Sequence, residues 1–125
     1  MKPAVSMADP WPTAIDYDPA TRTLNVTFES GESVALAAEY LRVESPSAEV
    51  QGHSPSQRQV VPGRAHVGIM NIEPVGNYAV RLIFDDLHDT GIFTWRYLFE
   101  LGREHGERWP RYLLELEERG LSRNP

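Results

Sequence analysis

Alternating hydrophobic residues on both sides of a proline turn restrict the first third of the chain to antiparallel strands. The alternation has a period of two over residues 15–17 and again over 24–28, and the turn between them reads Asp-Pro-Ala-Thr at 18–21. Proline after aspartate favours a type I turn, and a period of two places every second side chain on one face of a strand. The pattern predicts a hairpin, which a third strand at 34–36 extends after a Ser-Gly turn at 30–31.

A second alternating region follows further along the chain. Residues 67–72 alternate with one irregularity that indicates a bulge, and the strand is expected to stop at Pro74. Gly-Asn at 76–77 turns the chain into a strand over 78–84, and a short strand opens at Ile92. These segments continue the antiparallel meander.

The hydrophobic period changes from two to about 3.6 after Thr94, which indicates helices. Thr94 is a suitable N-cap for a first helix that is expected to end at Gly102 or Gly106. Pro110 suits the first turn of a second helix, which ends at Gly120. Strands first and helices last predict an α+β fold, with an antiparallel β-meander sheet packed on one side by the C-terminal helices.

The length of 125 residues fits one hydrophobic core, so we predict a single domain over residues 12–121. A flexible N-terminal arm at 1–11 and a frayed tail at 122–125 are expected, because both lack periodicity and contain proline. Residues 37–41 favour a short helical turn. Prolines and glycines interrupt residues 44–64, which we predict to form one long loop, and such loops are usually functional or disordered.

Composition excludes several classes of function. The chain has no cysteine, which excludes disulfides, thiolate nucleophiles and cysteine-ligated metals. Its formal charge of −6 argues against nucleic acid as a partner, because phosphate binding needs clustered Lys and Arg. No apolar run approaches the roughly 20 residues of a membrane span, and the N-terminus lacks a secretory signal. We therefore expect no membrane partner and a cytoplasmic location.

Three segments together resemble a known family. They read LRVESPSAEV at 41–50, IEPVGNYAVRLIF at 72–84 and DDLHDTGIFTWRYLFEL at 85–101. They are similar to the small domain at the amino terminus of gamma-butyrobetaine hydroxylase and its trimethyllysine-directed relative, over residues 12–102. Similar domains occur as stand-alone bacterial proteins and attached to P-loop ATPases of iron–sulphur cluster assembly. The resemblance implies the fold of that domain, without the catalytic barrel of the hydroxylases, which lies beyond the homologous region.

The resemblance also implies the positions of a zinc site. In the hydroxylases this domain binds zinc through three cysteines, in a pattern like L-R-x-x-C-x-C-x-x-C, and one histidine from a D-G-H-x-x-G turn. These positions fall on Ser45, Ser47, Val50 and His88, and Leu87 replaces the glycine before the histidine. A serine hydroxyl is a poor zinc ligand beside a thiolate, and valine cannot be a ligand. We therefore expect a degenerate zinc site and no cofactor.

Two kinds of chemistry remain as alternatives. The first is a zinc or iron site that keeps His88 and adds oxygen or nitrogen ligands from Glu44, Glu49 or His53. The second is a small-molecule hydrolase in which a serine of the S-P-S stretch works with His88. The sequence argues against the hydrolase, because it has no G-x-S-x-G elbow and no base positioned beside a loop serine.

The predicted function is a non-catalytic accessory or protein-interaction domain. Its partner is expected to be another protein, and the resemblance points to iron–sulphur assembly or oxygenase machinery. The candidate interaction surface comprises Arg42, Glu44, Glu49, His53, Arg58, Arg64, Asp86 and His88. Glu44 and Glu49 are expected to face water, and Arg42 is expected to tie down the long loop.

Four aromatic residues could serve either as a ligand cage or as part of the core. They are Trp95, Tyr97, Trp109 and Tyr112. An aromatic cage would suit trimethylammonium groups such as those of the hydroxylase substrates. Their helical spacing favours packing in the core, which is the role we predict.

Overall fold

The computed structural model describes residues 10–125 of the chain. In this range the strands are β1 (Pro12–Asp18), β2 (Thr23–Phe28), β3 (Ser33–Ala37), β4 (Ile69–Val75), β5 (Ala79–Phe84) and β6 (Gly91–Thr94). The helices are α1 (Ala38–Val43), α2 (Ala48–Gln51), α3 (Trp95–Arg103) and α4 (His105–Glu118), with a 3₁₀ turn at Pro55–Gln57. Residues 1–9, which make up most of the predicted flexible arm, lie outside the described part of the chain.

The strands form two antiparallel sheets of three strands each, in the orders β1-β2-β3 and β4-β5-β6. Sequence neighbours pair in both sheets, and the expected bulge lies between Ile69 and Asn71. The α+β class is confirmed, with antiparallel meanders that precede the C-terminal helices. The meander is divided into two sheets because residues 38–68, which connect β3 to β4, carry α1 and α2. β4 continues through Pro74, its predicted end, to Val75.

Both sheets and α3 contribute buried side chains to one hydrophobic core. Leu24 and Leu36 come from the first sheet, Leu82 and Phe84 from the second, and Leu98 from α3. The strand residues belong to the hydrophobic half of an alternating pattern, so the pleat directs them to one face. Removing these side chains from water is the main favourable contribution to folding, and it joins the two sheets in one domain.

The start of α3 agrees with the prediction and its end does not. Thr94 Oγ1 accepts a hydrogen bond from the Tyr97 amide at 3.1 Å, which confirms the N-cap. The helix continues through Gly102, so the predicted stop at this residue is wrong. A Cβ at Gly102 would overlap the side chain of Val34 in β3. Glycine here permits α3 to approach β3 closely and does not end the helix.

α4 begins at His105, earlier than predicted. Gly106 and Pro110 both lie inside α4, so Gly106 does not end a helix and Pro110 does not occupy a first turn. His105, its first residue, packs against Tyr40 with ring centroids 4.7 Å apart, a tertiary contact that favours the earlier start. Gly120 ends the helix as predicted, with a φ of 65°, and its amide and the next one bond to carbonyls of the last turn at 3.1 and 2.8 Å. Within residues 10–125, no helix combines the length and hydrophobicity needed to cross a membrane.

Residues 44–64 are not one loop, contrary to the prediction. Ser47 caps α2, since its Oγ accepts a hydrogen bond from the Glu49 amide at 3.2 Å. Gly52 ends α2 with a φ of 68°, and the 3₁₀ turn at Pro55–Gln57 follows. The short polar S-P-S stretch therefore begins a helix, because a serine oxygen can satisfy a free amide of its first turn.

The C-terminal tail at 122–125 is bonded to the domain, whereas we expected it to fray. The amide of Gly63 donates to the Ser122 carbonyl at 2.9 Å, and the amide of Ala65 donates to the Arg123 carbonyl at 3.0 Å. Arg123 also forms an ion pair of 2.7 Å with Glu39 of α1. These bonds hold the tail along residues 63–65.

Candidate functional site

The S-P-S stretch and the His88 turn are far apart in sequence and meet in the folded chain. Ser45 Oγ lies 2.9 Å from His88 Nε2, and Ser47 Oγ lies 2.7 Å from Thr90 Oγ1. Val50 is buried in α2, one helical turn after Ser47. The structure thus brings together Ser45, Ser47 and the His88 turn, and it places Val50 on the helix that Ser47 caps.

Glu49 and Thr90 complete a hydrogen-bonded cluster around these serines. Thr90 Oγ1 donates to Glu49 Oε1 at 2.9 Å, and Glu49 Oε2 lies 3.5 Å from His88 Nδ1. A hydroxyl has one hydrogen to donate, and that of Thr90 goes to Glu49. The Ser47 hydroxyl is therefore the donor in its hydrogen bond with Thr90. A carboxylate beside Nδ1 favours a proton on that nitrogen, so Nε2 accepts the hydrogen bond from Ser45. We refer to Ser45, Ser47, Glu49, His88 and Thr90 as the Ser-His cluster.

The Ser-His cluster is closed to solvent around Ser45 and His88, which are both buried. A Cβ at Gly91 would lie 2.6 Å from Ser45 Oγ, so the backbone of β6 packs directly on this hydroxyl. Burial lowers the pKa of His88, the positive charge of Arg42 lowers it further, and nearby carboxylates act in the opposite direction. The imidazole is therefore neutral near pH 7.

Asp86 fixes the turn that carries His88. Its Oδ1 accepts a hydrogen bond from the His88 amide at 3.1 Å, and its Oδ2 accepts from Nε of Arg42 at 2.7 Å and of Arg64 at 2.6 Å. Burial raises the pKa of Asp86, but the hydrogen bonds from Arg42 and the His88 amide outweigh it, so the pKa lies below its ordinary value. Leu87 in this turn has a φ of 72°, which glycine adopts more readily than leucine.

Arg42 ties down the long segment indirectly, through Asp86. Arg42 in α1 and Arg64, the last residue of the segment, bind the same carboxylate oxygen. Arg42 is buried, and its Nη1 has no hydrogen-bond partner among the described residues. Its guanidinium therefore acts inside the protein, where it connects α1 to the His88 turn.

The expectation that Glu44 faces water is wrong, because its side chain is only 1% exposed. Its carboxylate accepts hydrogen bonds from Arg108 at 2.9 Å and from Arg58 at 3.4 Å, and Arg58 also binds Glu115 of α4 at 3.1 Å. The Tyr97 hydroxyl donates to the Glu44 carbonyl at 2.5 Å. Burial, followed by the charge of Glu44, raises the pKa of Tyr97 to about 12. Glu44 therefore joins the start of the long segment to α3 and α4.

The predicted interaction surface consists largely of residues that bond to one another. Glu49 and His53 are exposed. Arg58, Arg64 and Asp86 are half-buried in ion pairs, and Arg42, Glu44 and His88 are buried. These charges therefore hold the long segment, the His88 turn and α4 in place.

The donor set at the family zinc positions does not fit zinc. Ser45 and Ser47 offer neutral hydroxyls that are already hydrogen-bonded, and Val50 offers no ligand atom. The oxygen and nitrogen alternative does not assemble either, because Glu44 is paired with arginines and His53 is exposed in the following segment. In the part of the chain that the structure describes, no group of three or more His, Asp and Glu side chains could hold a metal ion.

A histidine is positioned as a base beside Ser45, contrary to the prediction. We expected no positioned base beside a loop serine, but His88 Nε2 lies 2.9 Å from Ser45 Oγ, with Glu49 beside its other nitrogen. This order of groups matches a nucleophile, a base and an orienting carboxylate. Ser45 is nevertheless fully buried beneath Gly91, so its hydroxyl is closed to solvent.

The four aromatic residues do not form one cage. The rings of Trp109 and Tyr112 have centroids 5.2 Å apart, Tyr112 is buried, and Tyr97 packs against the core. These contacts confirm the core role. Trp95 also packs against the core, and its Nε1 donates to the Asn77 carbonyl at 2.8 Å.

Trp95 forms one wall of a cleft of about 270 Å³ that the sequence did not reveal. The residues that line it are Pro10, Trp11, Tyr78, Thr94, Trp95 and Arg96, and we refer to it as the aromatic cleft. The sequence predicts a flexible arm at Trp11 and a strand at Tyr78. The signal for this cleft in the sequence is the aromatic residue directly after the Gly-Asn turn. The side chain of a residue between a turn and a strand is often accessible to solvent.

Residues 15–99 match the family model described as gamma-butyrobetaine hydroxylase-like, N-terminal. The chain belongs to this family. The match runs from β1 into α3 and so includes the complete Ser-His cluster of this gamma-butyrobetaine hydroxylase-like domain. Among curated proteins, none matches the chain.

Several solved structures are similar to the domain. One solution NMR structure is 46% identical, covers 93% of this chain and 91% of its own, and has a TM-score of 0.80. A second NMR structure is 40% identical, covers 100% and 92%, and has a TM-score of 0.82. A crystal structure from Acidithiobacillus ferrooxidans, described as a protein of unknown function in the DUF971 family, is 41% identical, covers 73% and 91%, and has a TM-score of 0.62. The gamma-butyrobetaine hydroxylase-like domain is therefore similar to a DUF971 protein that is described as having unknown function.

Proposed function

We propose that this gamma-butyrobetaine hydroxylase-like domain is a non-catalytic module that binds another protein through the aromatic cleft. The observation that supports the proposal is the exposure of aromatic rings around a concave surface. Tyr78 is 53% exposed and Trp11 is 41% exposed, and both line the cleft with Trp95. Aromatic side chains are enriched at the centres of protein interfaces, and exposed apolar surface with a polar rim marks interaction sites.

The walls of the aromatic cleft are held by hydrogen bonds. Trp95 Nε1 donates to the Asn77 carbonyl at 2.8 Å, and the Trp95 amide donates to the Tyr78 carbonyl at 3.3 Å. The same end of α3 is capped by Thr94. A surface that is ordered before binding loses less conformational entropy when a partner binds, which favours affinity.

The Ser-His cluster supports the non-catalytic part of the proposal. Its central hydroxyl and imidazole are buried and bonded to each other, which argues against Ser45 as a nucleophile. We propose that the cluster takes over the structural task of a metal, by joining the start of α2 to the His88 turn. The domain would then need no resident cofactor.

The partner class follows from the resemblance alone. Similar domains are attached to oxygenases and to ATPases of iron–sulphur assembly, so a protein of one of these machineries is the partner that we propose. The aromatic cleft would contact an apolar segment of that partner.

Affinity purification from native extract tests the proposal. Tagged wild-type protein should recover a partner, which is then purified and titrated against wild-type protein and a Tyr78→Ser variant. We expect a loss of affinity of about tenfold or more for Tyr78→Ser, as for the removal of an aromatic interface residue. Leu114→Ser is the matched control, because Leu114 is also 53% exposed and does not line the aromatic cleft.

Two results would overturn the proposal. One is an equal affinity of the partner for wild-type protein and Tyr78→Ser. The other is labelling of Ser45 by a fluorophosphonate probe that Ser45→Ala abolishes, because it would show a reactive and accessible serine.

A further inference from the structure

Glu39 of α1 is only 7% exposed. Its carboxylate holds the side chain of Arg123 from the C-terminal tail. Arg123 Nε donates to Glu39 Oε2 at 2.8 Å, and Nη2 donates to Oε1 at 2.7 Å. The guanidinium carbon lies 5.4 Å from the centre of the Trp109 ring. A bidentate carboxylate and an aromatic face together suit the planar guanidinium better than a lysine ammonium.

The chain next to Arg123 is bound through its backbone. The carbonyls of Ser122 and Arg123 accept hydrogen bonds from the amides of Gly63 and Ala65, at 2.9 and 3.0 Å. Main-chain bonds of this kind accept an extended segment of almost any sequence. Selectivity therefore depends on the arginine side chain. We refer to Glu39, Trp109, Gly63 and Ala65 as the arginine pocket.

The arginine pocket needs a cation. Within residues 10–125, Arg123 is the hydrogen-bond and ion-pair partner that the structure gives Glu39. A buried carboxylate without a partner is unfavourable, so the pocket favours occupation by a guanidinium. The tail residues 122–125 are themselves exposed, which leaves them accessible to replacement by another chain.

We propose that the arginine pocket docks an arginine-bearing extended segment of a partner protein, and that the chain's own tail occupies it as an intramolecular competitor. The tail is covalently attached just beyond α4, so its effective concentration is high and a partner must displace it. The site shares no residue with the aromatic cleft. The test of the arginine pocket can therefore fail while the proposed function of the aromatic cleft stands, and the reverse.

The test uses the full-length Arg123→Ala variant, which empties the pocket, and the hexapeptide Gly-Leu-Ser-Arg-Asn-Pro, which has the sequence of residues 120–125. Binding is measured by calorimetry and by the thermal shift that the peptide produces. We expect the variant to bind this peptide at least about tenfold more tightly than wild-type protein, in which the tail competes. The same peptide with lysine in place of arginine should bind at least about tenfold more weakly, because it cannot form the bidentate pair.

A second variant keeps the test decisive if Arg123→Ala is poorly folded. The arginine peptide should raise the melting temperature of Arg123→Ala, since a ligand that binds only the folded state stabilises it. It should produce no shift in the double variant Glu39→Gln and Arg123→Ala, which lacks the buried charge. Equal binding of both peptides, equal shifts in the single and double variants, or equal affinity for wild-type protein and Arg123→Ala would each overturn the proposal.

Discussion

Ser45 and His88 form a buried hydrogen bond of 2.9 Å across a separation of 43 residues in sequence. By the family resemblance, both stand at positions where the zinc-binding hydroxylases have metal ligands. In this chain the Ser45 hydroxyl instead donates a hydrogen bond to the neutral imidazole of His88. The start of α2 and the His88 turn are therefore joined by hydrogen bonds between side chains of the chain itself.

Ser45→Ala should destabilise the domain by about 1–3 kcal/mol, because it leaves His88 Nε2 buried without a donor. Chemical denaturation measures the change in the free energy of unfolding. Ser56→Ala is the control, since Ser56 is exposed and its hydroxyl hydrogen-bonds the half-buried Ser54. A Ser45→Ala protein as stable as the control would show that the buried bond contributes nothing to stability.

The stability of the domain should fall as the pH drops below about 6.5. Burial, aided by the charge of Arg42, lowers the pKa of folded His88, so the unfolded chain binds a proton first. The free energy of unfolding then decreases from the pKa of the unfolded histidine down to the lower pKa of the folded one. Glu49 and Asp86 also face the imidazole, and their negative charges reduce the effect without reversing it.

The pH dependence is measured by urea unfolding between about pH 7.5 and pH 5 for wild-type protein and His88→Gln. The variant should lose part of the slope in this range, whatever its absolute stability. Asp86 does not add to the slope there, because it is charged in the unfolded state and its lowered pKa keeps it charged in the folded state. Identical slopes in the two proteins would assign the pH dependence to other groups.

Leu87→Gly should stabilise the domain by about 0.5–1 kcal/mol. Leu87 has a φ of 72°, which costs energy for a residue with a Cβ, and its side chain is 77% exposed, so removing it sacrifices little burial. Thermal and chemical denaturation measure the gain. Leu87→Ala keeps the Cβ and should show no comparable increase; a decrease in stability for Leu87→Gly would mean that the unfolded-state entropy of glycine outweighs the relieved strain.

Restoring cysteines should create a zinc site. In the triple variant Ser45→Cys, Ser47→Cys and Val50→Cys, three thiolates and His88 would supply the four ligands that a structural zinc requires. The Ser45 and His88 side chains already lie 2.9 Å apart, and zinc bonds of about 2.0–2.3 Å need only a small outward shift. Elemental mass spectrometry after gel filtration should find stoichiometric zinc in the triple variant and none in wild-type protein.

The control for the zinc experiment removes the fourth ligand, His88. Adding His88→Ala to the triple variant should weaken zinc binding, because one of four ligands is lost. Stoichiometric metal in wild-type protein would contradict our account of the Ser-His cluster. A triple variant that folds and binds no zinc would show that these positions do not form the family's site in this chain.

Local patterns in the sequence determined the strands and several element ends. The alternation before and after residues 18–21 predicted the first hairpin, and Thr94 and Gly120 marked a helix start and a helix end that the structure confirms. These signals could be identified because a strand face, an N-cap and a left-handed turn residue depend on neighbours within a few positions. The resemblance supplied Ser45, Ser47 and His88 as one set.

Contacts between distant segments were decided only by the tertiary structure. The sequence predicts a helix end at Gly102, but this glycine packs against Val34 of β3. It predicts that Glu44 faces water, but the Glu44 carboxylate binds Arg108. The Glu39 and Arg123 pair joins residues 84 apart. A residue's own neighbours in sequence carry no information about which distant side chain will pack on it. That partner is determined when burial of the shared core brings the sheets, α1 and α4 together.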